Sequence, residues 1–218
     1  MLLGMRTTTH ASNGARTTPP DEPAPTTDGR KLKGEARRSQ ILATALEVFG
    51  RQGFRSGSLR EIAERVGISE TGVLHHFGTK NALLSAVLAE RDSVEKVRRE
   101  HLEEDGTPVL ETTRDLVRRN ALTPGLVAMH AVLTAEATDA EHPAHEYFLT
   151  RYRELRHQDE AHFRALQEAG QLPASVDPAT LGQLITAVMD GLQLQWLLDP
   201  ENIDMPALFD DFLALVRD

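Results

Sequence analysis

Apolar residues recur along this chain three and four positions apart, the spacing that builds one face of an α-helix. In "EARRSQILATALEVFGRQG" the stripe is Ile41, Ala45, Val48 and Phe49, with Leu42 and Leu46 beside it, and Gly53 closes it. "SGSLREIAERVG" predicts a short second helix. Ser58 followed by Glu61 has the spacing of a capping box, and Gly67 is a turn residue that tolerates positive φ. Ser69 is a good N-cap for a third helix of about two turns, ended by Gly78. Thr79 then caps a longer fourth helix with Leu83, Leu84, Val87, Leu88 and Val94 on its apolar side. Residues 108–119 read as one further helix, and Thr123 before Pro124 is a cap-then-proline signal for the next. Residues 143–169 form a long helix, Asp177 before Pro178 opens another that runs to Leu198, and the last covers residues 205–216. Sustained period-two alternation is missing, so the fold class is all-α.

Composition narrows the setting. Aromatics make up 5% of the chain and cysteine is absent, which excludes a disulfide framework and thiolate metal sites and fits a reducing compartment. No apolar run approaches the roughly 20 residues needed to cross a bilayer, and the N-terminal stretch lacks the apolar core of a signal peptide. The expected location is the cytoplasm. Residues 1–29, with seven Thr and four Pro, hold almost nothing to bury. Order is expected to begin at Lys33, dividing the chain into a disordered tail (1–32), a small helical unit (33–78) and a larger helical unit (79–218).

The net charge of −9 is unevenly spread: residues 30–80 carry 10 basic and 5 acidic side chains, and residues 81–218 carry 12 basic and 25 acidic. A basic block on an acidic body suggests that one end meets an anionic polymer. Inside that block, two short helices flank a glycine turn, the layout of a helix-turn-helix. Ile62, Val66, Ile68 and Val73 can form its shared core, and Ala63 is small where the helices must approach. The second helix of such a unit leads into the DNA major groove while the first crosses the phosphates.

These residues resemble the tetracycline-repressor-type (TetR) family of regulators. The resemblance runs over about residues 36–88, from "RRSQILATALEVFGRQGF" through "SLREIAERVGISETGVLHHFGTKNALLSAVL", and rests on a G-[IV]-S-x-x-x-[VL]-x-x-H-F-x-[ST]-K-x-x-L frame. It implies an N-terminal DNA-binding domain, a variable helical ligand-binding and dimerising domain, and repression released by a small molecule. It also implies that residues 69–76 are the recognition helix, with Ser69, Glu70, Thr71, Gly72, Leu74, His75 and His76 near DNA. Thr71 and His75 are the leading candidates for base edges. Ser58, Arg60 and Lys80 are expected at phosphates, with Arg37 and Arg38 adding backbone contacts. The family usually has tyrosine where this chain has Leu74. Phe77 is expected to anchor the small core, and His76 to be half structural.

Other chemistry is poorly supported. His75 and His76 diverge by about 100° on a helix, whereas helical metal ligands use i,i+4 spacing. His142, His145 and Glu146, or His157 and His162, would need to converge to hold zinc. Phosphate-loop, dinucleotide and nucleophile-elbow motifs are missing, and no metal or cofactor is expected.

The helix of residues 178–198 is apolar on two sides. One stripe is Leu181, Leu184, Ile185, Val188, Met189, Leu192 and Trp196; the other is Ala187, Gly191, Leu194 and Leu198, with Gln183, Thr186, Asp190 and Gln193 in a narrow polar line. Burial on both sides calls for a homodimer. Leu155, Phe163 and Leu166 of the preceding helix are expected to join Ala187, Gly191, Leu194 and Leu198 in the interface, as the family's four-helix arrangement implies. An effector pocket is expected among Leu110, Leu116, Met129, His130, Leu133, Phe148 and Tyr152, suiting a largely apolar small molecule held by His130 and Tyr152. Two other functions stay open on the residues alone: a helical hydrolase or isomerase using His130 and Tyr152, and a scaffold that has lost DNA binding.

Overall fold

The computed structural model describes residues 27–105 and 107–217, and among the described residues every regular element is a helix. In order these are α1 (Thr27–Ser56), α2 (Leu59–Val66), α3 (Glu70–Phe77), α4 (Lys80–Glu104), α5 (Val109–Leu122), α6 (Pro124–Glu136), α7 (His145–Glu168), α8 (Pro178–Leu198) and α9 (Met205–Arg217). Most of the expected tail, residues 1–26, lies outside the described residues. The first helix begins at Thr27 rather than Lys33.

Local signals at the head behave as the sequence predicts, with one difference. Ser58 Oγ accepts from the Glu61 N–H at 3.4 Å, Ser69 Oγ from Gly72 at 3.1 Å, and Thr79 Oγ1 from Ala82 at 3.0 Å. Gly67 ends α2 in the left-handed region at φ 76°, ψ 38°. The Ser58 box is only half made. The Glu61 carboxylate accepts instead from Arg51 at 3.0 Å and Gln52 at 2.6 Å, tying α1 to α2. Thr123 is a second departure. Its hydroxyl donates back to the Arg119 carbonyl at 3.0 Å and makes no cap bond into α6, because threonine can satisfy the turn behind it as easily as the turn ahead. Asp177 does cap α8, accepting from the Thr180 N–H at 3.0 Å.

The buried side chains form two clusters. The first joins the head to the body: Ile41, Ala45, Val48 and Phe49 of α1 pack with Ile62, Val73, Leu83, Leu84, Val87 and Leu88, and the same cluster takes in Met129, Leu133 and Phe148. α1 lies along α6, where Gly50 permits close approach; a Cβ there would sit 3.1 Å from the Gly125 carbonyl. The second cluster contains Leu110, Val117, Phe163, Leu181, Ile185, Phe209 and Leu213, and holds α5, α7, α8 and α9 together. Ion pairs brace its outside, among them Arg114 to Asp210 at 2.7 Å and Arg119 to Glu95 at 2.8 Å.

Three apolar assignments change. Val94 is 59% exposed, because α4 leaves the head core after Leu88. Phe163, expected in an interface, is buried in the chain's own second cluster, and Leu166 packs against it. Leu184 is 51% exposed and belongs with the outer stripe of α8 rather than the inner one. Each follows from helix phase, which periodicity alone leaves free to rotate by one position. No helix among the described residues is long and apolar enough to cross a membrane.

Candidate nucleic-acid interface and effector region

The recognition helix is set by its ends and by one anchor. Ser69 fixes its start, and Val73, fully buried, docks it on Ile62 and Ala63 of α2. That leaves Ser69, Glu70, Thr71 and His75 exposed, with Gly72, Leu74 and His76 half-buried. Thr71 and His75 are one helical turn apart on the open face. His76 turns its ring toward Phe77, 6.4 Å between centroids, and Phe77 packs on the core. The split between the two histidines thus follows from which side of α3 faces α2 and α4.

The basic candidates all have partners within the chain. Arg37 Nη1 donates to the Val66 carbonyl at 2.8 Å, neutralising the end of α2, and Arg38 stacks 5.0 Å from the centroid of Phe77. Arg60 pairs with Glu64 at 2.8 Å on the surface; its pKa is raised by that bond and charge, and also by Glu70, which puts the start of α2 beside the start of α3. An exposed i,i+4 pair of this kind is weakly held in water, so a phosphate can displace Glu64. Ser58 sits half-buried at the same helix start. Lys80 turns inward, its Nζ 3.3 Å from the Arg55 carbonyl and 4.6 Å from the Phe54 ring centroid. Burial lowers its pKa.

Lys80 belongs to a junction that the sequence did not single out. Past the kink at Gly53, the Phe54 N–H donates to Glu136 Oε2 of α6 at 2.6 Å, and Arg55 pairs with Asp139. His142, buried, faces the same Glu136 with Nε2 at 3.5 Å and meets the edge of Phe54 at 5.3 Å. Its Nδ1 accepts the Ala144 N–H at 3.2 Å, and His145 Nδ1 lies 2.8 Å from the Ala137 carbonyl. These histidines are therefore engaged in packing and loop closure, and among the described residues no three His, Asp or Glu side chains converge as a metal site would require.

The expected pocket residues do not surround one cavity. Leu110 belongs to the second cluster, Met129, Leu133 and Phe148 to the first, and Leu116 is half-buried on α5. His130 and Tyr152 do come together, on a polar cluster. Tyr152 donates to Asp190 Oδ2 at 2.6 Å, and His130 Nε2 lies 3.6 Å from Asp190 Oδ1. Nearby, Asp92 accepts from Tyr147 and from Arg151 Nη1, both at 2.7 Å. Burial lowers the pKa of His130, keeping the ring neutral, and raises that of Tyr152 together with the Asp190 bond. Arg91, Asp92, Thr134, Tyr147, Arg151 and Asp190 are absent from the expected pocket. Each lies on a helix whose pattern marks it as an ordinary polar position.

On α8 the polar line turns inward only at its C-terminal end: Gln193 is 5% exposed, Thr186 and Asp190 are half-buried, Gln183 is exposed, and the outer stripe is open. Leu184, Ala187, Leu194 and Leu198 are exposed, with Leu198 at 79%, and a Cβ on Gly191 would meet nothing. Leu155 on α7 is half-buried. A cleft of about 470 Å³ between the α7–α8 loop, α8 and the end of α9 opens beside this stripe, lined in part by Leu184 and Leu215.

Comparison with known proteins agrees with this geometry. Residues 41–87 match the model of bacterial regulatory proteins of the tetR family, and residues 109–217 match the C-terminal domain of BetI-type transcriptional repressors. The chain is 27% identical over 201 residues to the HTH-type transcriptional regulator AcrR of Shigella flexneri, covering 86% of this chain and 91% of that one. It is 28% identical over 192 residues to the HTH-type transcriptional regulator TtgR of Pseudomonas putida, covering 81% and 88%. The crystal structure of a TetR-family transcriptional regulator from Agrobacterium tumefaciens superposes with a TM-score of 0.73 at 18% identity, over 85% of this chain and 100% of that one. These relatives are named as regulators rather than enzymes. With its capped helix-turn-helix on a helical body and family models matched at both ends, the chain belongs to the TetR family of DNA-binding transcriptional regulators.

Proposed function

We propose that this regulator is a cytoplasmic homodimeric repressor that holds a pseudo-palindromic operator and is released by a small-molecule effector. The observation that carries the reading is the outward stripe of Leu184, Ala187, Gly191, Leu194 and Leu198, a continuous apolar face along one helix left open. A two-fold axis there pairs α8 with its copy and sets two recognition helices about one DNA turn (~34 Å) or somewhat more apart. Thr71 and His75 then read base edges, while Ser58 and Arg60 hold phosphates. Lys80 exchanges the Arg55 carbonyl for phosphate, or else supports the head from behind.

Release follows from connectivity. α4 starts at the head and carries Arg91 and Asp92 into the polar cluster about three turns later. A ligand that binds better to a conformer with α4 displaced lowers operator affinity by its differential affinity for the two conformers. Gel shift on DNA flanking the gene tests the first half: retardation specific to one sequence, weakening steeply with salt, is expected. Light scattering should give twice the chain mass. Equal affinity for all DNA, or a monomer at micromolar concentration bound singly to its site, would defeat the proposal.

A further inference from the structure

We infer that the polar cluster between α4, α6, α7 and α8 is a site for an oxyanion, a carboxylate or phosphate group carried by the effector, with the Arg91 guanidinium at its centre. This rests on the proposed ligand response and specifies its chemistry. Arg91 Nε and Nη1 are buried and have no hydrogen-bond partner, and the same is true of Arg151 Nε, His130 Nδ1 and Thr134 Oγ1. Buried polar atoms are nearly always paired, and five orphans in one region call for a missing partner.

These atoms are neighbours. Arg91 and Arg151 both act on the His130 ring, and Arg151 acts on Arg91; Thr134 lies beside the Tyr152 hydroxyl. The carboxylates within reach are already engaged. Asp92 takes Tyr147 and one Arg151 nitrogen, and Asp190 takes Tyr152 and faces His130. What remains is a surplus of donors, because guanidinium nitrogens can only donate. A neutral apolar ligand would leave them unpaired, and a quaternary ammonium would meet two guanidiniums of like charge. A carboxylate or phosphate supplies several acceptor sites at once and pairs with arginine by charge-assisted bonds.

The surroundings supply an entrance and a body for such a ligand. A cleft of about 420 Å³ between α4 and α7 shares Asp92, Tyr147 and Arg151 with the cluster and gives its solvent side, with Glu146 and Glu154 at its outer rim, so that the attraction for an anion comes from the arginines within. On the inner side Phe148 lies 5.7 Å from the His130 ring, beside Met129 and Leu133 of the first core. An anion on Arg91 would tie α4 to α6 and α7, and α4 is the helix that begins at the DNA-binding head.

The test is thermal unfolding of the full chain in chloride-free buffer with four probes of one length: octanoate, octyl phosphate, 1-octanol and octyltrimethylammonium. Octanoate or octyl phosphate should raise the midpoint by about 5 °C or more at a hundredfold excess over its Kd, and whichever does so tells carboxylate from phosphate. The alcohol and the ammonium should not. Arg91→Met should lose the response while melting no lower than wild type without ligand, since it removes two buried nitrogens that have no hydrogen-bond partner. Arg91→Gln serves as the second variant should the first fold poorly. Equal shifts in wild type and variants, or no shift of the wild type by either anion, would overturn the assignment. Wild-type operator binding, measured in parallel, separates the two readings. If DNA binding is absent the repressor proposal falls; if it is present and no anion shifts the melt, this inference alone falls.

Discussion

Gly53→Ala should be the most damaging single-methyl change at the junction between head and body. Gly53 has φ 74° and ψ 175°, a region reached essentially by glycine alone, and an L-residue held there costs about 1–3 kcal/mol. The added Cβ would also lie 2.2 Å from Glu136 Oε1. That oxygen ends a flexible side chain, so the carboxylate swings aside, and its Oε2 then releases the Phe54 N–H that it holds at 2.6 Å. Phe54 is 7% exposed, and leaving its N–H unpaired adds about 1–3 kcal/mol. The sum, about 2–6 kcal/mol, corresponds to a fall in Tm of about 5–20 °C for a chain of this size. Urea unfolding of Gly53→Ala, Glu136→Ala and the double variant separates the two parts. In the Glu136→Ala background only the backbone cost remains, so the glycine change should cost less there than in wild type. A loss below about 1 kcal/mol in wild type would refute the conformational argument. An equal loss in both backgrounds would refute the role given to Glu136.

Three further outcomes follow from the same coordinates. Leu194→Asp puts a charge on a residue 53% exposed in the single chain, so monomer stability should hold while the dimer Kd, read by analytical ultracentrifugation, rises about 100-fold or more; an unchanged dimer would place the interface elsewhere. His75→Ala, at an exposed position on α3, should weaken specific operator binding by about 1–3 kcal/mol in fluorescence anisotropy with no change in Tm. An equal loss on unrelated DNA would make it a phosphate contact instead. Burial pushes the Asp159 carboxyl up to about 6, against the opposing Thr186 hydrogen bond. The folded state therefore binds more protons than the unfolded one between about pH 4 and 6, and stability falls as pH rises through that window. Asp159→Asn should then stabilise the protein at pH 7 by on the order of 1 kcal/mol, allowing for residual solvent access, and by nothing below pH 4; an equal gain at both pH values would show that charge is not the cause.

What was legible in the sequence was local. Ser58, Ser69 and Asp177 act within one turn of themselves, and Gly67 needs only its own φ, so the helix starts and the helix-turn-helix could be read from short windows. The Glu136 junction was not, because it joins Phe54 to a residue far along the chain through a backbone N–H, which has no residue type to betray it. Phe163 is buried in the chain's own second cluster, with Leu166 packed against it, for a related reason: a helix with apolar residues on several sides does not say which side meets its own core.

The instructive errors lie on α4 and α8, where the usual inside-outside rule is inverted. Along α4 beyond Leu88, Val94 and Val97 stand 59% and 65% exposed, while two Arg91 nitrogens are buried without partners. Along α8, Leu194 and Leu198 point outward while Gln193 is buried and the half-buried Asp190 accepts from Tyr152. A fold stabilised only by its own core would rotate or replace such residues, since each arrangement leaves apolar area wet and polar groups dry. Their persistence makes sense when something absent from the single chain completes them, and the two inversions ask for different things. The outer face of α8 lacks apolar cover, which a second copy of the same stripe supplies. The inner end of α4 lacks hydrogen-bond acceptors, which no leucine surface can supply and an oxyanion can. Because Arg91 of α4 acts on the same His130 ring that Asp190 of α8 faces, a ligand that fills the second deficit sits beside the element that answers the first.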